Sequence, residues 1–255
     1  MKTVILAGGL GTRMSSKTEN LPKPMIEIGN HPILWHIMQT YTYYGYNEFI
    51  ICGGYKIEKI KRYFYEYHLM HHDVTFDLNG NYEAINPTHN NQKVSVIDTG
   101  QDDQTGSRLK QVKRFIDGRF FMTYGDGLSD INLQELLTYH TESRKICTMS
   151  AVKAQNKFGV LVFDDNDNIK EFKEKPISNN NWINAGYFVC EKEIFDYIPE
   201  GKDIQFEKEP LQKLIQDNQL NIYKHDGFWK CMDTKKDYEE LNCMWLNTPK
   251  WRTYA

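Results

Sequence analysis

The chain has 255 residues, 40% of them apolar, and its 31 basic and 34 acidic side chains give a formal net charge of −3. A chain of this length and composition can bury a full core. No block of basic residues stands out, which argues against nucleic acid and against an anionic membrane as partners. No apolar stretch approaches membrane-spanning length, and the short apolar run near the N-terminus stops at glycines, unlike a signal peptide.

The first segment of the chain places a predicted strand directly before a glycine-rich loop. Residues 3–6 end in an apolar run that is typical of a parallel strand covered on both faces. The loop at 8–13 (Gly-Gly-Leu-Gly-Thr-Arg) leaves room for a ligand to approach backbone N–H groups. Arg13 ends this loop, and Lys23 follows on a segment stiffened by a proline on each side. Strand, bare backbone and two cations together predict a site for a nucleoside triphosphate.

Two common nucleotide-binding motifs do not fit this loop. A Walker loop requires a Gly-Lys-Ser or Gly-Lys-Thr ending, which the sequence lacks. The dinucleotide fingerprint requires glycine at its first, third and sixth places. Counted from Gly9, the third place is Gly11 but the sixth is Met14, so this motif is excluded as well.

The next predicted elements alternate between strands and helices, which favours βαβ units and a mostly parallel sheet. Strands are predicted at 3–6, 49–52, 94–97 and 120–123, and helices at 32–44, 57–67 and near 109–116. The segment 77–92 is rich in Asn and lacks periodicity, so it is predicted to be a mobile surface loop or flap.

The second half of the chain changes character. Strands at 159–163 and 169–172 flank an Asp- and Asn-rich turn and predict a hairpin. Leu211, Leu214 and Ile215 have helical spacing, and a C-terminal helix is predicted at 235–246. Neither an internal repeat nor an interdomain linker is visible, so a single domain spanning residues 1–255 is expected.

The cysteines indicate a reduced, cytoplasmic protein. They are far apart and lack Cys-x-x-Cys spacing, so neither a zinc site nor a disulfide framework is expected. The set comprises Cys52, Cys147, Cys190, Cys231 and Cys243. Cys52 and Cys190 lie inside strand-like runs and are predicted to be reduced core residues.

The loop at 8–13 followed by Pro22-Lys23-Pro24-Met25 resembles the signature of the sugar-1-phosphate nucleotidyltransferases, also called nucleotide-sugar pyrophosphorylases. Further matching blocks are Pro32-Ile33-Leu34-Trp35-His36-Ile37-Met38, Asp98-Thr99-Gly100, Thr105-Gly106-Ser107-Arg108, Tyr124-Gly125-Asp126-Gly127, Glu174-Lys175-Pro176, Asn184-Ala185-Gly186-Tyr187-Phe188, Gly227-Phe228-Trp229 and Met232-Asp233-Thr234. They run in one order almost to the C-terminus and are most similar to the branch that makes CDP-glucose.

This resemblance implies a Rossmann-like α/β fold, with a mixed, mostly parallel central sheet flanked by helices and a small β-rich sugar-binding part. It divides the chain into a nucleotide-binding half at about 1–130 and a sugar-binding half with the C-terminal helix at about 131–255. The implied reaction is Mg²⁺-dependent transfer of a cytidylyl group from CTP to α-D-glucose 1-phosphate, giving CDP-glucose and pyrophosphate. Relatives assemble as oligomers, so a homo-oligomer is expected.

The chemistry of such a reaction calls for cations and a metal ion. The attacking phosphate oxygen is already a nucleophile, so the protein must bring two anions together in line and neutralise charge on the nucleotide phosphates. Asp126 follows the predicted strand 120–123, at the sheet edge where ligands usually lie. Asp233 follows residues 228–232. Two aspartates from distant segments are sufficient to hold one Mg²⁺ across a triphosphate.

The resemblance assigns roles to further residues. Arg13 is expected to contact the β,γ-phosphates and Lys23 to bridge the α-phosphate and the incoming phosphate. The nucleotide-binding set is Leu6, Ala7, Gly8, Gly9, Gly11, Thr12, Arg13, Thr105, Arg108 and Gly125. On the sugar side, Lys175 is expected to grip the sugar phosphate and Asn184 to bind a hexose hydroxyl, and Trp229 could stack on the sugar.

Some of these residues have a structural alternative. Asp233 could be a helix N-cap, Thr105 a helix cap and Trp229 a core tryptophan. The sequence departs from the family's pattern at Ser107, Ala185, Cys231 and Trp182, which bears on the identity of the hexose.

Other functions remain open from the residues alone. The nearest is the same chemistry with UTP, dTTP or another phosphorylated acceptor. A glycosyltransferase of related fold would consume a nucleotide sugar without releasing pyrophosphate, and a nucleotide sensor would bind without turnover.

Overall fold

The computed structural model describes residues 1–9, 20–85, 91–155, 160–163, 169–173, 177–201 and 203–252. Its strands are β1 (Lys2–Ala7), β2 (Glu27–Ile28), β3 (His31–Pro32), β4 (Glu48–Gly53), β5 (Asp73–Asp77), β6 (Asn81–Ile85), β7 (Lys93–Asp98), β8 (Phe120–Tyr124), β9 (Gly127–Ser129), β10 (Cys147–Gln155), β11 (Val160–Phe163), β12 (Ile169–Lys173), β13 (Ile177–Cys190), β14 (Leu220–His225) and β15 (Trp229–Cys231). Its α-helices are α1 (Ile33–Tyr43), α2 (Ile57–His71), α3 (Thr105–Gln111), α4 (Leu133–Ser143), α5 (Glu209–Gln216) and α6 (Lys235–Asn247).

The central sheet has seven strands in the order β14-β10-β13-β8-β1-β4-β7. Strand β1 runs parallel to both β4 and β8, β4 runs parallel to β7, and β10 runs parallel to β14. Only β13 runs antiparallel to its neighbours β8 and β10 in this sheet. The predicted mixed, mostly parallel sheet with flanking helices is confirmed.

The first strands form because both of their faces are buried. Along β1, Val4 and Leu6 pack into one hydrophobic cluster while Ile5 and Ala7 pack into a second. A strand covered on both faces gains from apolar side chains at every position, which explains the unbroken run in the sequence. Each strand predicted in the first half lies within an observed strand, which is at least one residue longer. Because β1, β4, β7 and β8 run parallel, their carboxyl ends lie at the same edge of the sheet.

Helix α3 is the element whose predicted position was wrong. The prediction placed a helix near 109–116, following apolar residues, but α3 covers Thr105–Gln111 and a separate 3-10 turn covers Lys113–Phe115. No capping side chain marks its start, since the N-cap Gln104 makes no side-chain cap hydrogen bond. Gly106 in the first turn is required by packing, because a Cβ there would lie 2.9 Å from the Ile204 carbonyl oxygen.

The predicted loop at 77–92 is partly a hairpin, which corrects the sequence prediction. Strand β6 pairs antiparallel with β5, and Phe76 lies opposite Tyr82. The turn between them uses Gly80 at φ +102° and the Asp77 carboxylate, which accepts a hydrogen bond from the Asn79 N–H at 3.0 Å. Residues 86–90 of this segment lie outside the described residues.

The second half contains the predicted hairpin and helices. Strands β11 and β12 pair antiparallel, while the turn residues 164–168 lie outside the described residues. Helices α5 and α6 cover the predicted positions. Since β13 pairs with β8, residues from both halves of the chain contribute to the same sheet. Among the helices that the structure describes, none is long and apolar enough to cross a membrane.

Candidate active site

A cavity of about 430 Å³ lies where the parallel strands β1 and β8 end. Its volume is in the range of small-molecule sites, and its position at the carboxyl ends of the strands is the usual one for ligands of α/β sheets. Of the predicted site residues it is lined by Leu6, Ala7, Gly8, Gly9, Lys23, Thr105, Arg108, Gly125, Asp126 and Asp233. Pro24, Asp103, Gln104 and Tyr124 line it as well.

Lys23, Asp126 and Asp233 meet at this cavity although they are far apart in sequence. The Lys23 ammonium lies 2.6 Å from Asp126 Oδ2 and 2.6 Å from Asp233 Oδ1. The two carboxylate oxygens therefore lie no further apart than twice that distance. Sequence reasoning placed all three residues in one site, and the structure brings them together.

Local backbone contacts explain this convergence. Strand β15 pairs with β9 directly after Asp126, and the Met232 N–H donates to the Asp126 carbonyl oxygen at 2.9 Å. This bond sets the segment carrying Asp233 beside the segment carrying Asp126. Lys23 opens a 3-10 turn in which the Met25 N–H donates to the Pro22 carbonyl oxygen at 2.8 Å.

The charges of this cluster are mutually dependent. Burial lowers the pKa of Lys23, but the Asp126 and Asp233 carboxylates together raise it above its ordinary value, so the side chain remains an ammonium. One ammonium between two carboxylates leaves one negative charge uncompensated within the cluster. The three side chains are partly buried, so removal of the ammonium would leave two neighbouring carboxylates without their cation.

The two aspartates fit a hard divalent cation such as Mg²⁺. Their oxygens converge on one point, and magnesium uses few carboxylates together with phosphate oxygens and water. In the part of the chain that the structure describes, no group of three His, Cys, Asp or Glu side chains could hold a metal ion. Two carboxylates leave coordination positions of such a cation open to phosphate oxygens and water.

The two glycines at the end of β1 differ in what surrounds them. A Cβ at Gly8 would lie 2.1 Å from Arg108 Cζ, so only glycine leaves room for the guanidinium. A Cβ at Gly9 would meet none of the described residues within 4 Å, and this backbone lines the cavity. The backbone at Gly9 can therefore be approached by a ligand, whereas Gly8 is needed for packing.

Arg108 lines the cavity and stabilises the loops around it by hydrogen bonds. It is only 4% exposed, and its guanidinium donates to protein oxygen atoms. The acceptors are Gly8 O, Gly53 O, Thr99 Oγ1, Gly100 O and Gln101 O. These acceptors follow β1 or lie at the ends of β4 and β7, so Arg108 ties the loops of neighbouring strands together. A direct contact between Arg108 and the base or ribose stays a prediction.

Asn184 contacts the cavity-lining residue Tyr124, whereas Trp229 makes its contacts with other parts of the protein. Asn184 Nδ2 donates to the Tyr124 hydroxyl at 3.2 Å, and its Oδ1 accepts from the Gly186 N–H at 2.8 Å. Trp229 Nε1 donates to the Ala185 carbonyl oxygen at 2.6 Å, and the ring packs against the hydrophobic core. The Trp229 ring is thus partly buried against the core, as the structural alternative predicted. Stacking of the ring on a sugar stays a prediction.

Cys231 lies beside the aspartates, where the sequence departs from the family pattern. Its Sγ donates to Asp233 Oδ2 at 3.4 Å. Burial, with Asp233 and Asp126 nearby, raises the pKa of Cys231 to about 12. The group is therefore a neutral thiol at physiological pH and has no thiolate character for nucleophilic chemistry.

Ser129, His225 and Asp130 cluster nearby but cannot work as a catalytic triad. His225 Nε2 lies 2.8 Å from Asp130 Oδ1 and 3.2 Å from Ser129 Oγ. A proton relay needs the serine and the carboxylate on opposite ring nitrogens. Since the same nitrogen serves both contacts, this cluster is structural.

Several predicted site residues lie outside the described residues, namely Gly11, Thr12, Arg13 and Lys175. Some polar side chains at the site had no role in the sequence reasoning. Asp103, Gln104 and Tyr124 line the cavity. Glu207 accepts hydrogen bonds from two lining residues, Thr105 and Tyr124. No spacing in the sequence connects Glu207 with these partners.

A family model described as nucleotidyl transferase matches residues 2–248 of the chain. The probable glucose-1-phosphate cytidylyltransferase of Bacillus subtilis (strain 168) is 44% identical over 246 residues, covering 96% of each sequence. The glucose-1-phosphate cytidylyltransferase of Salmonella typhi is 40% identical over 262 residues, covering 100% of each.

Solved structures show the same fold. A putative glucose-1-phosphate thymidylyltransferase from Bacillus anthracis, in complex with a sucrose, matches with a TM-score of 0.72 at 16% identity, over 96% of this chain and 94% of that one. HddC from Yersinia pseudotuberculosis, complexed with GMP-PN, matches with a TM-score of 0.69 at 22% identity, over 96% and 99%.

Proposed function

Because the chain belongs to the nucleotidyl transferase family, we propose that it transfers a cytidylyl group from CTP to α-D-glucose 1-phosphate, giving CDP-glucose and pyrophosphate. The names of the two curated relatives support this choice of nucleotide and sugar. The observation that carries the proposal is the convergence of Lys23, Asp126 and Asp233 beside the open backbone of Gly9.

The protein's task in this reaction is to position two phosphate groups and balance their charge. An oxygen of the sugar phosphate forms a bond to the α-phosphorus, and the bond from that phosphorus to the bridging oxygen breaks, releasing pyrophosphate. The Gly9 backbone would bind the triphosphate and Arg13 its departing end. Lys23 would contact both reacting phosphates. Positioning and charge neutralisation account for most of the catalysis in phosphoryl transfer.

Asp126 and Asp233 would hold Mg²⁺ through the oxygens that now face Lys23. The bound metal would polarise the α-phosphate and reduce repulsion between the two anions. Both aspartates can turn to a metal only when the Lys23 ammonium leaves the position between them. Lys23 is then able to donate to phosphate oxygens. Movement of Lys23 would therefore form the metal site of the two aspartates and the phosphate contact of the lysine together.

The sugar would bind on the Asn184 side of the cavity. Asn184 would contact a hexose hydroxyl, Lys175 the sugar phosphate, and Trp229 the apolar face of the ring. The bonds from Asn184 to Tyr124 and Gly186 support this role because they hold the amide in one orientation. We further propose that the enzyme works as a homo-oligomer, as its resemblance to the family implies.

Pyrophosphate release from a panel of nucleotides and sugar phosphates tests the proposed reaction. We expect the highest kcat/KM with CTP, Mg²⁺ and glucose 1-phosphate, and lower values with UTP, dTTP or other acceptors. Asp126→Asn should lower kcat about 100- to 1000-fold, the range found when one electrostatic contact to the transition state is removed in other enzymes. Higher activity with another nucleotide would change the assigned base. Consumption of a nucleotide sugar without pyrophosphate would indicate a glycosyltransferase instead.

A further inference from the structure

Glu207 is an exposed carboxylate that joins two residues of the cavity wall. Its Oε2 accepts a hydrogen bond from Thr105 Oγ1 at 2.6 Å, and its Oε1 accepts one from the Tyr124 hydroxyl at 2.5 Å. Thr105 and Tyr124 both line the cavity. Tyr124 also accepts from Asn184, so a polar chain connects the predicted nucleotide side of the site with its predicted sugar side.

The backbone that carries Glu207 is firmly docked against α3. The Gly106 N–H and the Ser107 N–H both donate to the Ile204 carbonyl oxygen, at 2.8 and 3.1 Å. Ser107 Oγ accepts from the Ile204 N–H at 3.1 Å, which explains a serine at this departure from the family pattern. The fully buried ring of Phe206 contacts Phe188. An exposed side chain on such a fixed segment is well placed for recognition.

The hydrogen bonds around Glu207 all point towards its carboxylate. The Phe206 N–H donates to Thr105 Oγ1, which donates to Glu207. Asn184 donates to the Tyr124 hydroxyl, which also donates to Glu207. Hydrogen bonds that follow one another in the same direction polarise and strengthen each other. The two chains therefore hold the Glu207 carboxylate in place.

The carboxylate retains acceptor capacity after these contacts. A carboxylate offers about four lone-pair sites, of which the two bonds use one on each oxygen. A negative charge repels phosphate groups, so among the groups of the proposed substrates the neutral hydrogen-bond donors suit Glu207. The substrates of the proposed reaction carry such groups in the cytosine amino group and in the hydroxyls of the ribose and the hexose.

We propose that Glu207 is a specificity residue of this site, which accepts a hydrogen bond from a neutral donor of the nucleoside or the hexose. This inference rests on the proposed function for the identity of the substrates. It assigns Glu207 a direct contact with substrate in addition to its contacts with Thr105 and Tyr124. Loss of the carboxylate then weakens only those substrates that carry the matching donor.

The test combines Glu207→Ala and Glu207→Gln with substrates that lack single donors. Pyrophosphate release is measured for CTP, UTP and 2′-deoxy-CTP, and for glucose 1-phosphate and its single-deoxy analogues. We expect Glu207→Ala to lower kcat/KM for the parent pair roughly 10- to 100-fold, since hydrogen bonds to charged groups have that value. With the analogue that lacks the matching donor, the same substitution should change kcat/KM less than about threefold. The substrate on which the effect disappears identifies the donor as base, ribose or hexose.

Glu209→Gln is the matched control, because this nearby carboxylate is exposed and pairs with Lys213 on its own helix. It should leave every substrate unchanged, and thermal unfolding should show that all three variants fold. Equal losses on every analogue, or no loss at all, would overturn the proposal and leave Glu207 as a support for Tyr124. If the wild-type chain releases no pyrophosphate from any pair, the proposed function fails. In that case the affinities of the wild type and of Glu207→Ala for the same substrates are measured by calorimetry. A loss of affinity confined to substrates that carry the matching donor would still support the role of Glu207.

Discussion

Lys23 is the residue on which the candidate site is centred. Its ammonium contacts both aspartates and substitutes for the positive charge that their carboxylates require. Removing one member of a buried charge cluster normally costs more stability than the cluster contributes. Here the cluster also faces an open cavity, so a ligand can replace one of its partners. This suggests that the metal and the lysine compete for the same two carboxylates.

Replacing Lys23 by Met should therefore increase the affinity of the nucleotide-free protein for Mn²⁺, by roughly tenfold, while turnover is lost. Without the ammonium, the two carboxylates repel each other and gain more from a cation. Electron paramagnetic resonance of Mn²⁺ titrated into the protein measures this affinity directly.

Lys2→Met provides the control for this prediction. Lys2 also pairs with a carboxylate, Asp117 at 2.7 Å, but is not among the residues that line the cavity. Its loss should leave Mn²⁺ binding unchanged. Weaker Mn²⁺ binding in Lys23→Met would show that the lysine supports the metal site and does not compete for it.

At the scale of elements, the start of α6 holds Asp233 in position. Thr234 is the N-cap, and its side chain accepts from the Asp237 N–H while the Asp237 carboxylate accepts from the Thr234 N–H, forming a capping box. The same carboxylate accepts from the Asp233 N–H at 3.2 Å. The sequence alternative of Asp233 as N-cap is therefore wrong, because Thr234 takes that role. The Asp233 side chain lines the cavity, where its carboxylate contacts Lys23.

Thr234→Ala should lower the free energy of unfolding by about 1 kcal/mol, as is usual for loss of an N-cap side chain. It should also raise the Mg²⁺ concentration needed for half-maximal pyrophosphate release, because the backbone of Asp233 loses part of its support. Urea unfolding and a Mg²⁺ titration measure the two effects. Thr234→Ser should keep both the stability and the Mg²⁺ dependence of the wild type, because serine also caps a helix. If Thr234→Ala lowers stability without changing the Mg²⁺ dependence, the cap does not position Asp233.

The whole molecule is built around two hydrophobic clusters, one on each face of the central sheet. His36 on α1 is buried in this arrangement with no exposed surface, and its Nε2 lies 2.9 Å from the Ile28 carbonyl oxygen. Its ring contacts Trp245 on α6 and the fully buried Trp251. Protonating this histidine would place a charge within the packing that joins α1 to the C-terminal part of the chain.

Stability should accordingly fall in mild acid. Burial, together with the nearby charges of His31 and Arg252, lowers the pKa of His36 from 6.5 to about 4. Between these values the unfolded chain binds a proton that the folded chain does not, so stability is retained above pH 6.5 and lost as the pH falls towards 4. The loss from pH 7 to pH 5 amounts to about 2 kcal/mol for this group alone.

Urea unfolding of the wild type and of His36→Gln at pH 7 and pH 5 measures this contribution. Glutamine can still donate to Ile28, but it does not titrate. The wild type should lose about 2 kcal/mol more than the variant over this range. An equal loss in both proteins would place the acid sensitivity in other groups.

Residues with a local signature could be recognised without coordinates. The first parallel strands were predictable because burial on both faces demands an unbroken apolar run. Lys23, Asp126 and Asp233 could be selected because each directly follows or joins a recognisable segment. The start of α3 could not be predicted, since packing of Gly106 against Ile204 sets it and no cap marks it. The β5–β6 hairpin was missed although Val74 and Phe76 alternate with polar residues, because its two strands are short, mostly exposed and form a separate two-stranded sheet.

By itself, the sequence determined the α/β class, the positions of the main strands and helices, and the residue types that a phosphate-transfer site requires. Those properties depend on contacts between near neighbours and on periodic burial. Only the tertiary structure decided that Lys23 lies between the two aspartates, that Arg108 braces the loops and that Glu207 joins Thr105 to Tyr124. These contacts join residues that are 83 to 210 positions apart in the chain, and chain packing brings them together.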